Sequence, residues 1–191
     1  MKKSLVCLAA VCVLAGGAFA AGGDPSESGI STSPLKIWST GVGGGLLYTL
    51  SDDMKTVYGQ SFGEVVWLNS FDFTENFALA ADISWYIGEN ATNFGLDLGG
   101  DYVFSQGRVK PFAGAGFGVR YYDEVGKTES VVGGGALVRV GLALELTNTV
   151  EVKVRVPFHF ALIDEIKDMR VGVEIGVMFF SNLRNVKSID Y

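Results

Sequence analysis

The chain has 191 residues, enough for one domain, with 21 Asp and Glu against 15 Lys and Arg and a net charge of −6. That acidic balance argues against nucleic acid as a partner. Glycine is abundant at 26 residues, proline is scarce at 4, and both cysteines, Cys7 and Cys12, lie close to the N-terminus.

Residues 1–20 open with Met1-Lys2-Lys3, continue with an apolar run from Leu5 to Leu14, and end in Ala18-Phe19-Ala20. That order of charged, apolar and small residues is that of a secretory signal peptide. The apolar run is too short to anchor the chain by spanning a bilayer. Lipidation at Cys12 is disfavoured, because Val11 precedes it where a small residue is needed. Cleavage after Ala20 removes both cysteines, excluding disulfides and thiol chemistry. Losing Lys2 and Lys3 takes the charge from −6 to about −8. No run of 18 apolar residues follows, so no transmembrane helix is expected. Residues 21–34 are small and polar and read as a flexible periplasmic lead.

Residues 35–180 alternate. Strand one, 36–50, puts Trp38, Val42, Leu46, Tyr48 and Leu50 on one face and Ser39, Gly41, Gly43 and Gly45 on the other. A loop, 51–62, follows, with Ser51-Asp52-Asp53 as its turn signal. Strand two, 64–73, shows Val65, Trp67, Phe71 and Phe73, with Asn69 as the polar exception on that face. Strand three, 77–86, shows Phe77, Leu79, Ala81, Ile83 and Trp85, opposite Asp82 and Ser84. Strand four, 93–104, shows Phe94, Leu96, Leu98, Tyr102 and Phe104, opposite Asn93, Asp97 and Asp101. Strand five, 109–122, shows Ala113, Ala115, Phe117, Val119 and Tyr121, opposite Gly114, Gly116, Gly118 and Arg120. Strand six, 131–146, shows Val132, Ala136, Val138, Val140, Leu142, Leu144 and Leu146, opposite Arg139 and Glu145.

Strand seven, Thr149–Phe160, is the sharpest. Val150, Val152, Val154, Val156, Phe158 and Phe160 form an unbroken apolar face, and Glu151, Lys153, Arg155, Pro157 and His159 form the other. Strand eight, 169–180, sets Val171, Val173, Ile175, Val177 and Phe179 against Arg170 and Glu174. The last eleven residues, 181–191, read as a short polar tail.

A face that is wholly β-branched and aromatic cannot be left in water, and the charged face cannot enter an oily core without partners. A closed barrel with lipid outside and polar side chains inside satisfies both. The predicted fold is therefore an all-β, eight-stranded antiparallel up-and-down transmembrane barrel. The connections alternate as such a barrel requires: 51–62, 87–92, 123–130 and 161–168 at one end are longer than 74–76, 105–108 and 147–149 at the other. Face parity predicts three-residue turns at Thr74-Glu75-Asn76 and Thr147-Asn148-Thr149, and a two-residue turn at Gln106-Gly107. Aromatics cluster toward the strand ends: Trp38, Phe73, Phe77, Phe104 and Phe179 at the short-turn side, and Tyr48, Trp67, Trp85, Phe94, Tyr121 and Phe158 at the other, as two interfacial girdles.

The predicted inward charges are Asp82, Asp97, Asp101, Glu145, Glu151 and Glu174 against Arg120, Arg139, Lys153, Arg155 and Arg170. Six acids facing five bases predict mutual pairing, in a lumen plugged by charge rather than an ion-selective ring. The three-residue turn puts Glu145 opposite Glu151, with Lys153 and Arg155 as screening partners. His159 is the only histidine, with no partner cluster for metal binding or catalysis, and reads as a lumen residue. The runs Gly43-Gly44-Gly45, Gly114-Ala115-Gly116-Phe117-Gly118 and Gly133-Gly134-Gly135 do not continue into Gly-Lys-Ser/Thr, so they are not phosphate cradles. Inward glycines make room in a barrel just wide enough to be filled by side chains. No catalytic, cofactor-binding or metal-binding residue is assigned, and no cofactor is expected.

The segment Lys110-Pro111-Phe112-Ala113-Gly114-Ala115-Gly116-Phe117-Gly118 resembles the fifth-strand motif of small OmpA-like and OmpX-like outer-membrane barrels. The last strand, Arg170-Val171-Gly172-Val173-Glu174-Ile175-Gly176-Val177-Met178-Phe179-Phe180, is similar to the terminal assembly signal of such barrels, although this chain continues to Tyr191. The resemblance spans about 36–180 and implies insertion by the outer-membrane barrel assembly machinery of a Gram-negative type bacterium. There is no room for an OmpA-type peptidoglycan-binding domain.

The expected function is that of an integral outer-membrane barrel, contacting outer-membrane lipid, monomeric because a closed barrel has no free edge. Its role is structural or surface-interacting, without catalysis. The rivals are an enzyme modifying outer-membrane lipid with His159 at its rim, a soluble periplasmic ligand-binding barrel and a narrow conducting pore. The soluble barrel needs an apolar interior, the inverse of strands six to eight.

Overall fold

The computed structural model describes residues 38–181, apart from 75, 89–90, 106, 125–130, 148 and 164–165. The segments expected to be a signal peptide and a lead, and positions 182–191 of the tail, lie outside the described residues. In chain order the elements are β1 (Trp38–Thr49), α1 (Asp52–Tyr58), β2 (Ser61–Asp72), β3 (Phe77–Ile87), β4 (Ala91–Val103), β5 (Val109–Glu124), β6 (Val131–Thr147), β7 (Val150–Ile163) and β8 (Ile166–Ser181). Each strand pairs antiparallel with its neighbours in sequence, and β1 pairs with β8, closing the barrel. Closure satisfies the edge N–H and C=O groups that lipid cannot.

The faces fall as the alternation predicts. Val42, Leu46, Val65, Leu98, Val138, Val154 and Ile175 are exposed on the outside, while Asp82, Asp97, Asp101, Arg139, Glu151, Arg155, Arg170 and Glu174 are buried inside. Phe117, midway along β5, is 78% exposed. An outer wall of exposed large apolar side chains around a charged interior is the reverse of a water-soluble fold and fits lipid contact. No helix among the described residues is long and apolar enough to cross a membrane; the crossing elements are strands. Val154→Arg on this wall is expected to cost about 2–4 kcal/mol near the bilayer midplane, read from urea unfolding in lipid vesicles.

Several connections differ from the sequence expectation. The segment 51–62 is not only loop: α1 forms within it, and β2 begins at Ser61. The 161–168 connection shrinks to residues 164–165, because β7 runs on to Ile163 and β8 starts at Ile166. The charge run 164–168 reads as loop by composition, yet Asp168 turns into the lumen and is bound there, which keeps the strand regular. At 147–149 the extra residue is absorbed by the strand rather than the turn. Glu145 pairs with Glu151 and Thr147 with Val150, leaving Leu146 in a bulge. The β4–β5 hairpin is shifted by two residues from the Gln106-Gly107 turn: Val103 pairs with Phe112, and the Phe104 N–H donates to the Pro111 carbonyl. An even shift leaves every face unchanged. At the Thr74 turn, the Phe73 and Thr74 N–H groups both donate to the Phe77 carbonyl, keeping three residues between Phe73 and Phe77.

Trp67 stands at mid-strand between Val42 and Ile83 rather than in the upper girdle. Its indole N–H donates to Thr40 Oγ1 (2.8 Å), which donates to Asn69 Oδ1 (2.9 Å), and the Asn69 amide donates to the Ala81 carbonyl (3.1 Å). Asn69, the polar residue among the outward apolar side chains Val65, Trp67 and Phe71 of β2, is thereby satisfied without water, as a lipid-facing polar group must be.

Candidate functional site

The chemistry-bearing side chains converge in the lumen, and parity explains why. Inward positions hold apolar side chains such as Leu47, Val66, Leu68, Phe112 and Met178 as well as charged ones, and most of the charged groups find their partners on other strands.

The central level is a chain of charge that crosses the lumen. Arg139 of β6 donates through Nε to Asp101 Oδ1 of β4 (2.6 Å) and through Nη1 to Asp82 Oδ2 of β3 (2.9 Å). Arg155 of β7 donates to the same Asp82 oxygen at 2.5 Å and through Nε to Glu174 of β8. Five side chains from five strands are thus tied in series, with Asp82 shared by two guanidiniums. In this buried interior the alternative to pairing is an uncompensated charge.

Above it, Arg120 lies 2.6 Å from Asp97 Oδ1 and donates to His159 Nδ1 at 2.6 Å. Because Nδ1 accepts, the ring proton sits on Nε2. Arg170, wholly buried, is held by Asp168 (Nε to Oδ1, 2.7 Å), and the Tyr122 hydroxyl donates to the same carboxylate. The Arg170 guanidinium is caged by three rings, with centroids at 5.1 Å for Phe62, 4.9 Å for Tyr86 and 5.6 Å for Tyr122. Met54 of α1 packs with Leu47, Phe62, Tyr86 and Tyr122, so the helix roofs this end of the lumen. On the solvent side of α1, the Lys55 ammonium, 2.6 Å from Asp52, holds that carboxyl below its ordinary value.

At the short-turn end, Glu145 does lie opposite Glu151. Their screening partner is Lys110, at 2.9 Å and 3.3 Å, with Lys153 at 4.0 Å from Glu151 and over the Phe112 ring. Arg155 takes no part there, being committed to Asp82 and Glu174. A polar cavity of about 60 Å³, room for a few waters, opens at this level between Ser39, Asp72, Asp101, Lys110 and Lys153.

All eleven predicted inward charges occupy the lumen, and the structure adds Glu64, Asp72, Lys110 and Asp168. Parity already placed Glu64 and Lys110 inward, since their neighbours Val65 and Val109 face out. His159, expected at the rim in the enzymatic reading, is buried and bonded to Arg120, with neither a serine nor a carboxylate as its hydrogen-bond partner. No group of three or more His, Cys, Asp or Glu suited to a metal occurs among the described residues.

The sequence matches no protein-family model and no curated protein. Among solved structures, the chain is similar to Neisserial surface protein A at 15% identity and a TM-score of 0.62, covering 75% of this chain and 97% of that one. It is similar to the N-terminal β-barrel domain of Pseudomonas aeruginosa OprF at 14% identity and a TM-score of 0.54, covering 74% and 97%. Outer membrane phospholipase A from Escherichia coli aligns with a TM-score of only 0.28 at 12% identity, over 73% of this chain and 92% of that one, which carries nothing about chemistry. The chain has the fold of the small eight-stranded outer-membrane β-barrels.

Proposed function

We propose that this protein is an integral outer-membrane barrel with a structural or surface-interacting role and no catalytic chemistry. A signal peptide at 1–20 would deliver it, and the barrel assembly machinery of a Gram-negative type envelope would insert it as a monomer. The observation that carries the reading is the inverted polarity: large apolar side chains face outward on every strand, while the lumen is filled by cross-strand ion pairs. An eight-stranded barrel filled in this way is a rigid stave rather than a channel. Its accessible chemistry lies on the lipid wall and on the connections at the α1 end. The enzymatic rival loses its only histidine to Arg120.

The test is to fractionate envelopes of cells carrying or lacking the gene, treat whole cells with protease, and compare lipid A acyl chains. The reading predicts recovery with the outer membrane, cleavage confined to the α1-end connections and unchanged lipid A. An altered acyl pattern would return the enzyme, and recovery in the periplasm would return the soluble barrel.

A further inference from the structure

The lumen pairing leaves one carboxylate over. Glu64 of β2 is buried, and neither of its oxygens has a hydrogen-bond partner. Gly45 of β1 sits directly across from Glu64 on one side and from Glu174 on the other. All three face inward, so the two carboxylates converge over a glycine where even a Cβ would stand 2.7 Å from Glu174 Cγ. They are close enough for their charges to oppose each other, with the Ser84 hydroxyl beside them. The nearest cation, Arg155, is already committed to Asp82 and Glu174.

The charge count of this level makes the excess explicit. Asp82, Asp101, Glu174 and Glu64 supply four carboxylates, and Arg139 and Arg155 supply two guanidiniums. Arg120 and Arg170 do not relieve it, since each is matched by its own aspartate, and Lys110 and Lys153 are matched by Glu145 and Glu151. A surplus of negative charge in a sealed interior must be neutralised, by a bound cation or by a proton shared between the two carboxyl groups, and only the cation makes stability depend on the salt present.

The geometry points to a binding site for one small, oxygen-seeking cation between Glu64 and Glu174, under the α1 roof. The donor set is hard oxygen throughout: two free Glu64 oxygens, Glu174 and the Ser84 hydroxyl. That chemistry suits an alkali or alkaline-earth ion and not a soft metal. The bound ion completes the lumen and locks β2 to β8 across the β1 glycine.

To test this, the full-length barrel and its Glu64→Gln variant are folded from urea into a neutral detergent. Sodium, calcium or choline chloride is present at matched ionic strength, choline being too large to enter. The temperature at which the unboiled, compact gel band converts to the unfolded band is recorded. In choline, Glu64→Gln should match or exceed the wild type, since the unpaired charge is gone. Sodium or calcium should raise the wild-type conversion by about 5 °C and leave Glu64→Gln unmoved. Whichever ion acts gives the valence. Equal wild-type conversion in all three salts, or equal shifts in wild type and variant, overturns the site. Should Glu64→Gln not fold, Ser84→Ala takes its place: it keeps the charges and removes one donor, so a reduced ion-dependent shift supports the site and an undiminished one overturns it.

Discussion

Asp82→Ala is expected to be among the most damaging single substitutions in the barrel. Asp82 Oδ2 accepts from both Arg139 and Arg155, and its other oxygen accepts from the Asn69 N–H at 3.4 Å. All three charged groups are buried. Removing the carboxylate leaves two guanidiniums that each retain only one partner, Asp101 or Glu174, in a medium that does not solvate them. Breaking one buried pair costs about 3–5 kcal/mol, and here two break together, so the loss rivals the whole stability of a small domain. Urea titration in lipid vesicles should find Asp82→Ala unfolded or barely folded. Asp82→Asn, which keeps an acceptor oxygen and the side-chain volume, should fall between it and the wild type. A loss under about 1 kcal/mol for Asp82→Ala would mean that the central charge chain does not hold the strands together.

Gly135→Arg should fail for a different reason. A Cβ at Gly135 would lie 2.1 Å from the Phe160 carbonyl oxygen and 2.5 Å from Ala161 Cα, both backbone atoms of β7 that cannot swing aside. Even alanine there has to push two strands apart, at about 1–3 kcal/mol, and arginine adds a charge to a filled lumen. The adjacent residue is the control. A Cβ at outward Gly134 meets nothing nearer than the Gly118 carbonyl at 3.8 Å. Gly134→Ala should fold like the wild type in the same titration while Gly135→Ala loses stability. Equal losses at the two neighbours would contradict the facing of β6.

These two positions show what the sequence carries and what it lacks. Facing is a period of two, and a strand cannot hide it, so Asp82 and Gly135 are placed inward by counting alone. Partner choice is not local. Glu151 is screened by Lys110 from β5 rather than by Arg155 four residues further along β7, because strand tilt around the barrel sets which inward side chains share a level. Connections are less legible still. The polar run 164–168 resembles a loop until Asp168 is seen clasping Arg170 and Tyr122. Leu146 is outward by parity, yet whether the extra residue enters the turn or a bulge is a matter of register that face parity alone does not set. The seven residues of α1 are too few for a helical period to stand out, and Met54 reveals its role only through the four lumen side chains it covers.

The central claim is that the outer wall meets lipid and the inner wall meets only protein. It is tested most directly by single cysteines along β3, in a chain lacking residues 1–20 and therefore both native cysteines. Leu79, Ala81 and Ile83 face out, while Ala78, Ala80 and Ser84 face in. In vesicles of brominated lipid, a small environment-sensitive fluorophore at the outward positions should be strongly quenched. The inward cysteines should stay unlabelled until the barrel is unfolded in urea. Rapid labelling of Leu79→Cys, Ala81→Cys and Ile83→Cys by a charged, membrane-impermeant maleimide, without quenching by lipid, would mean that this wall faces water and would contradict the account.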